Sequence, residues 1–172
     1  KCNIKSLKCT IVRDEGVYKT PKEKKEKIFK AYTWLTEKIK RLTEEKKINN
    51  YNSKSIQGKL HNKKDKISWE LIKKMYLEPK YISPCHAAGL FGIITASGLV
   101  YPCEILEDKL LGNLREKNMN FMKIWHSVIT KDAKNFILKT NCNCTYECAL
   151  TYNILGNWKY HPRLISSIFS SY

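Results

Sequence analysis

The chain has 172 residues, of which 42% are hydrophobic and 11% aromatic; this is enough apolar material for one folded domain, or for a small domain joined to part of a larger one, and it excludes a generally disordered chain. A formal net charge of +16 invites a nucleic-acid partner, yet of the 32 basic residues only Arg13, Arg41, Arg115 and Arg163 are arginine. Lysines spread over helix faces lack the arginine fork that reads phosphates and bases, so the composition argues against nucleic-acid recognition and leaves an acidic partner surface open.

Seven cysteines is an odd count, and five of them fall between residues 85 and 148. This clustering reads as metal-binding thiolates in a reducing, cytoplasmic compartment rather than as a disulfide framework. The most apolar run, residues 87–101, is broken by Gly89, Gly92, Ser97 and Gly98. It makes a poor membrane span and a good hairpin, so no membrane partner is expected. A chain that opens on Lys1 and is strand-like by Ser6 is expected to be a piece of a longer protein.

Residues 7–12 (Leu-Lys-Cys-Thr-Ile-Val) are β-rich and are stopped by Arg13, Asp14, Glu15 and Gly16. One strand cannot stand alone, so these residues imply neighbours outside the sequence and a truncated sheet or barrel. Cys9 reads as a buried small hydrophobe within that strand, whereas Cys2 lies too close to the end of the chain to assign. Thr20 followed by Pro21 and Glu23 predicts a helix start. The helix it opens carries an apolar stripe at Ile28, Tyr32, Leu35, Ile39 and Leu42.

Residues 48–66 show little periodicity and read as a loop or linker. Ser68 is the expected cap of a short helix with Trp69, Ile72, Met75 and Tyr76 on its packing face, ended by Pro79. Residues 91–95 and 99–105 are β-prone and joined by Ala96-Ser97-Gly98, the pattern of a hairpin. Residues 110–115 read as a turn around Gly112-Asn113. Asn120 is the expected cap of a helix with Phe121, Ile124, Trp125 and Val128 on one side; a second helix runs from about Thr130 to Lys139, and a last one follows His161-Pro162 with Leu164, Ile165, Ile168 and Phe169.

The chemistry sits in two cysteine groups. Cys85 and Cys103 are separated by twelve residues, Gly98 and four residues; Cys142, Cys144 and Cys148 form the second group, Cys-x-Cys-x3-Cys. Thiolates gathered from distant segments suit a soft metal or an iron–sulfur cluster. Zinc is the chemical rival, although structural zinc sites usually offer Cys-x2-4-Cys pairs on both sides.

The Cys-x12-Gly-x4-Cys pattern, ending Gly98-Leu99-Val100-Tyr101-Pro102-Cys103-Glu104, resembles the auxiliary-cluster domain found C-terminal to the barrel of radical SAM enzymes, the SPASM domain or its shortened twitch form. Leu111-Gly112-Asn113-Leu114 and the stretch from Phe121 to Ser127 agree with that family in order. The second group departs from the full Cys-x2-Cys-x5-Cys-x3-Cys pattern and has no cysteine after it. With five thiols, the resemblance implies one auxiliary 4Fe-4S cluster on Cys85, Cys103 and Cys148, the fourth ligand being Cys144 or Cys142. The short spacing of that pair favours Cys144.

The resemblance implies an α/β fold: the C-terminal remnant of a partial TIM-like radical SAM barrel over residues 1–50, a linker at 51–67, and a cluster domain of a β-hairpin and short helices over 68–172. The chain lacks the Cys-x3-Cys-x2-Cys motif that holds the catalytic cluster. S-adenosylmethionine and a second 4Fe-4S cluster therefore belong to a missing N-terminal barrel, the expected partner, and a peptide or protein is the candidate substrate. In that plan Arg13, Asp14 and Glu15 would follow a barrel strand at its chemical face, and His86, His126 and Glu104 neighbour the cluster without being assigned as ligands. The alternative is a zinc-stabilised basic binding module without catalytic activity.

Overall fold

In a computed structural model, residues 6–12, 20–51 and 54–169 are described. Arg13, Asp14, Glu15 and Cys2 lie outside them. Six α-helices, two short 3-10 turns and one small sheet are found among the described residues: α1 (Lys22–Glu44), α2 (Ile56–Tyr76), β1 (Ile93–Ile94), β2 (Leu99–Tyr101), β3 (Gly112–Asn113), α3 (Phe121–Trp125), α4 (Val128–Lys139), α5 (Glu147–Leu155) and α6 (His161–Phe169). The fold is thus mixed and helix-rich, with a three-stranded antiparallel sheet in the order β1-β2-β3.

Three apolar clusters organise it. The largest joins α1, α2, α5 and α6 through Tyr32, Ile67, Leu71, Ile72, Met75, Tyr76, Leu150, Ile154 and Leu164, with Ile11 of the N-terminal segment. The second places Val100 of β2 against Leu111, Leu114, Ile124 and Ala133, seating α3 and α4 on the sheet. The third, Cys85, Ala87, Ala88 and Ile137 with Phe91, Cys103, Leu106 and Cys142 against them, lies under the cysteine groups.

The α1 stripe is observed in part. Tyr32, Thr36 and Ile39 are its buried residues, and Ile28 is packed against the core. Its first residue is Lys22 and Pro21 occupies the cap position without a side-chain bond, so the expected Thr20 cap and the Pro at the first helical turn each shift by one residue.

The loop expected over 48–66 ends at Ser55, whose side chain accepts from the Gly58 amide at 3.0 Å and starts α2. Helix α2 therefore crosses the expected boundary between linker and cluster domain, and Ser68, expected as a cap, is buried in mid-helix. Its buried face is made of Gly58, Asn62 and Ser68 as well as Ile67, Leu71 and Met75. Small and polar residues on the packed side hide the helical period from a hydrophobic pattern.

Residues 6–12 form no strand. The Asn50 side chain instead brackets Leu7, accepting its amide and donating to its carbonyl, both at 2.7 Å. One amide side chain thus satisfies the two backbone groups that a neighbouring strand would otherwise pair.

The hairpin is present but shorter than expected. β1 and β2 pair with Ile93 opposite Tyr101 and Ile94 opposite Val100. Gly98 sits at φ +90°, where a Cβ is strained. The expected turn at 110–115 supplies β3, which pairs Gly112 with Val100 and Asn113 with Leu99. Asn120 caps α3 through the Lys123 amide at 3.2 Å, as the sequence indicates. Helix α4 begins at Val128, and Val128 is exposed rather than on the packed side. Of the α6 residues, Leu164 is buried while Ile165 and Phe169 are exposed. No helix among the described residues is long and apolar enough to cross a membrane.

Candidate iron–sulfur site

All five clustered cysteines line one cavity of about 230 Å³. Each arrives on a different piece of local structure. Cys85 lies just before a tight turn in which Gly89 and Leu90 donate to the His86 carbonyl at 3.1 and 2.8 Å and Ala88 donates to Phe91 at 3.0 Å. Cys103 follows β2 directly after Pro102, which is fully buried. Proline offers no amide to continue the ladder, so the strand ends and the thiol turns out of the sheet.

Cys142 is placed by the end of α4. Thr140 closes the helix, Asn141 takes φ +51°, and the Asn141 and Cys142 amides return to Leu138 at 3.3 Å and Ile137 at 3.1 Å. This is a Schellman arrangement with asparagine in the left-handed position, and it fixes the direction in which Cys142 leaves the helix. Cys144 follows in the connecting segment. Cys148 stands in the first turn of α5, where unpaired amides favour negative charge. The sequence pattern indicates no helix at the cysteine-rich stretch, because α5 places Glu147, Thr151 and Asn153 among its apolar residues.

Apolar and aromatic side chains close the cavity, among them Phe91, Ile93, Ile105 and Tyr152. The Phe91 and Tyr152 rings stack with centroids 5.1 Å apart. Glu104, singled out in the sequence, lines the cavity and accepts a hydrogen bond from the Tyr146 hydroxyl. His86 and His126 do not line it. The His86 imidazole is held below its ordinary pKa by burial and by Lys134, and its Nε2 is buried without a partner among the described residues.

Polar neighbours and burial shift the acidity of the thiols in opposite directions. The Cys85 thiol is pushed well down, first by a hydrogen bond from Cys142, with further bonds from the Ala87 amide and the Asn153 side chain acting against the cost of burial. The same contact and burial push Cys142 up. Burial raises Cys103, partly offset by amide hydrogen bonds from Leu106 and Ile105. Amides aimed at sulfur are the environment in which thiolates and cluster sulfurs are stabilised. Cys9 is half-buried against the helical core, lies outside this cavity and is pushed up to about 11 by burial.

Among the described residues, no three His, Cys, Asp or Glu side chains are gathered as a ready ligand set for a single metal ion. What the chain offers is a ring of thiols around an apolar space, a donor set whose chemistry fits an iron–sulfur cluster. No curated protein and no solved structure matches the chain. Residues 85–149, which supply all five thiols of the cavity, match the SPASM family, an iron–sulfur cluster-binding domain, so that the resemblance carried by the cysteine spacing is shown for this part of the chain and implies iron–sulfur cluster binding there.

Proposed function

We propose that this chain holds one auxiliary 4Fe-4S cluster as the C-terminal part of a radical SAM enzyme that modifies a peptide, a protein or a small molecule. The observation that carries the reading is the convergence of five thiols from separate segments on one apolar cavity within the SPASM match. Cys85, Cys103 and Cys148 are assigned as ligands. Contact between Cys142 and Cys85 supports Cys142 over Cys144 as the fourth, in place of the spacing argument that favours Cys144. A bound cluster supplies a one-electron centre, or a coordination point for substrate, whose potential is set by thiolate ligation, hydrogen bonds and burial.

The residues around the cavity have definable parts in that role. Asn153 and the amides of Ala87, Ile105 and Leu106 stabilise anionic sulfur. Phe91, Tyr152 and Ile105 exclude water, and the Glu104–Tyr146 pair gives the wall one polar point at which a substrate or a proton could be held. Residues 1–50 are proposed as the end of the barrel, with α2 carrying the chain into the cluster domain. The missing barrel would bring S-adenosylmethionine and the second cluster, and a reducing cytoplasm is the proposed compartment.

The test is iron and acid-labile sulfide content after purification and reconstitution without oxygen. About four of each per chain are expected. Cys85→Ala, Cys103→Ala and Cys142→Ala should lose them, whereas Cys9→Ala and Cys144→Ala should keep them. About one zinc and no sulfide would replace this reading with a structural zinc module.

A further inference from the structure

Cys148 lines a second cavity as well as the thiol ring. This cavity, of about 180 Å³, opens between the N-terminal segment at Lys8 and Cys9, helix α2 at Asp65 and Ser68, and helix α5 at Glu147 and Cys148. Its lining is unlike that of the cluster cavity, which is apolar and aromatic. Here the lining is mixed, with Lys8 and Lys64 beside Asp65, Ser68, Glu147 and Thr151, and two of its polar atoms lack partners among the described residues. Ser68 is only 4% exposed and its hydroxyl has no partner among the described residues. The Glu147 Oε1 atom is likewise buried without a partner.

A buried hydroxyl and a buried carboxyl oxygen left unpaired in the wall of one cavity are costly, and such groups are normally satisfied by protein, water or ligand. The nearby lysines do not satisfy them. Lys64 is paired with Asp65 and reaches Thr151 at 3.4 Å, and Lys8 lies over the Tyr51 ring at 4.9 Å from its centroid. The lysines are thus held by other groups while the acceptors wait. Space of this size holds a head group and a short alkyl stem rather than a single water.

We infer that this cavity is a binding site for a primary ammonium group on an alkyl stem, with Glu147 and Ser68 as its acceptors and Cys148 beside it. An ammonium group brings three donors, so it can satisfy both orphan oxygens together. The site deepens the proposed function and rests on it for its purpose, because a ligand here lies against a proposed cluster ligand. Binding itself depends only on the cavity. A lysine side chain of a peptide substrate and a free alkylamine share this chemistry.

The test uses the iron-loaded full chain, titrated with n-butylammonium, with capped lysine (N-acetyl-lysine methylamide) and with butan-1-ol, followed by NMR. The ammonium probes are expected to bind, and Glu147→Gln to weaken them at least tenfold, Ser68→Ala about threefold. Both variants should keep their iron and sulfide. Capped lysine binding as well as butylammonium would identify a peptide side chain as the source, and butylammonium alone a small amine. Butan-1-ol binding equally well, or ammonium binding unchanged in both variants, would overturn the site and leave a pocket of water. Loss of iron from the unaltered chain would instead count against the cluster reading, whatever the probes do.

Discussion

At Asn153 one buried amide side chain serves two neighbours. Its Oδ1 accepts the His86 amide at 2.8 Å, and its other end donates to the Cys85 sulfur. Asn153→Ala should therefore cost about 1–3 kcal/mol by leaving the His86 amide unpaired. It should also speed iron loss to a chelator, because a bond to sulfur is removed; stability that falls with no change in iron retention would make Asn153 merely structural. Tyr32 is the opposite case. Its hydroxyl is buried without a partner among the described residues, so Tyr32→Phe is expected to be neutral or to stabilise by about 1 kcal/mol in denaturant unfolding. Burial also holds the Tyr32 phenol well above its ordinary 10.0. Above that pH the unfolded chain gives up a proton that the folded chain keeps, so stability falls as pH rises, and Tyr32→Phe should flatten that slope.

Among the elements, the hairpin carries the most information per residue. Gly98 lies at φ +90°, and a Cβ there would meet the Asn113 side chain at 3.2 Å. The turn is pinned by Arg115, two residues beyond β3, whose Nε donates to the Ser97 carbonyl at 2.9 Å. Gly98→Ala is expected to cost on the order of 1–2 kcal/mol through the left-handed backbone alone. It should weaken iron binding too, since Cys103 hangs from β2; an unfolding midpoint unchanged from the parent would show that the turn relaxes freely. The glycine and its neighbours are legible in the amino-acid pattern, because a turn of this kind needs φ above zero. β3 is not legible there: Gly112 and Asn113 have turn propensity, and only the open edge of β2 recruits them into a sheet.

For the whole molecule, the division into three apolar clusters decides where cluster loss is felt. Cys85, Cys103 and Cys142 belong to the small one, while α1, α2 and α6 close around another. Removing iron with a chelator under reducing conditions should lower the thermal midpoint by on the order of 10 °C. Amide exchange should rise over 103–106 and 142–148 and stay slow in α2. Uniform exchange across both regions would mean that the clusters unfold together. The net charge of +16 is distributed as lysine-rich helix faces, and an exposed ion pair there such as Lys30–Glu26 at 2.8 Å contributes little.

Sequence and tertiary structure divide this protein along a physical line. The amino-acid sequence alone determines the two cysteine groups, the glycine turn, the Asn120 cap and the stripe of α1, because each depends on a fixed spacing or a local backbone demand. It does not reveal α5 or the first half of α2, whose buried faces carry Asn153, Asn62 and Gly58 in place of a clean apolar period. Residues 7–12 have the composition of a strand, and the fold satisfies Leu7 with the side chain of Asn50 instead. Which thiols share a cavity, and which lie outside it, only the tertiary structure decides: spacing sets how far apart two residues can be, but the packing of helix ends and strands sets where their side chains meet.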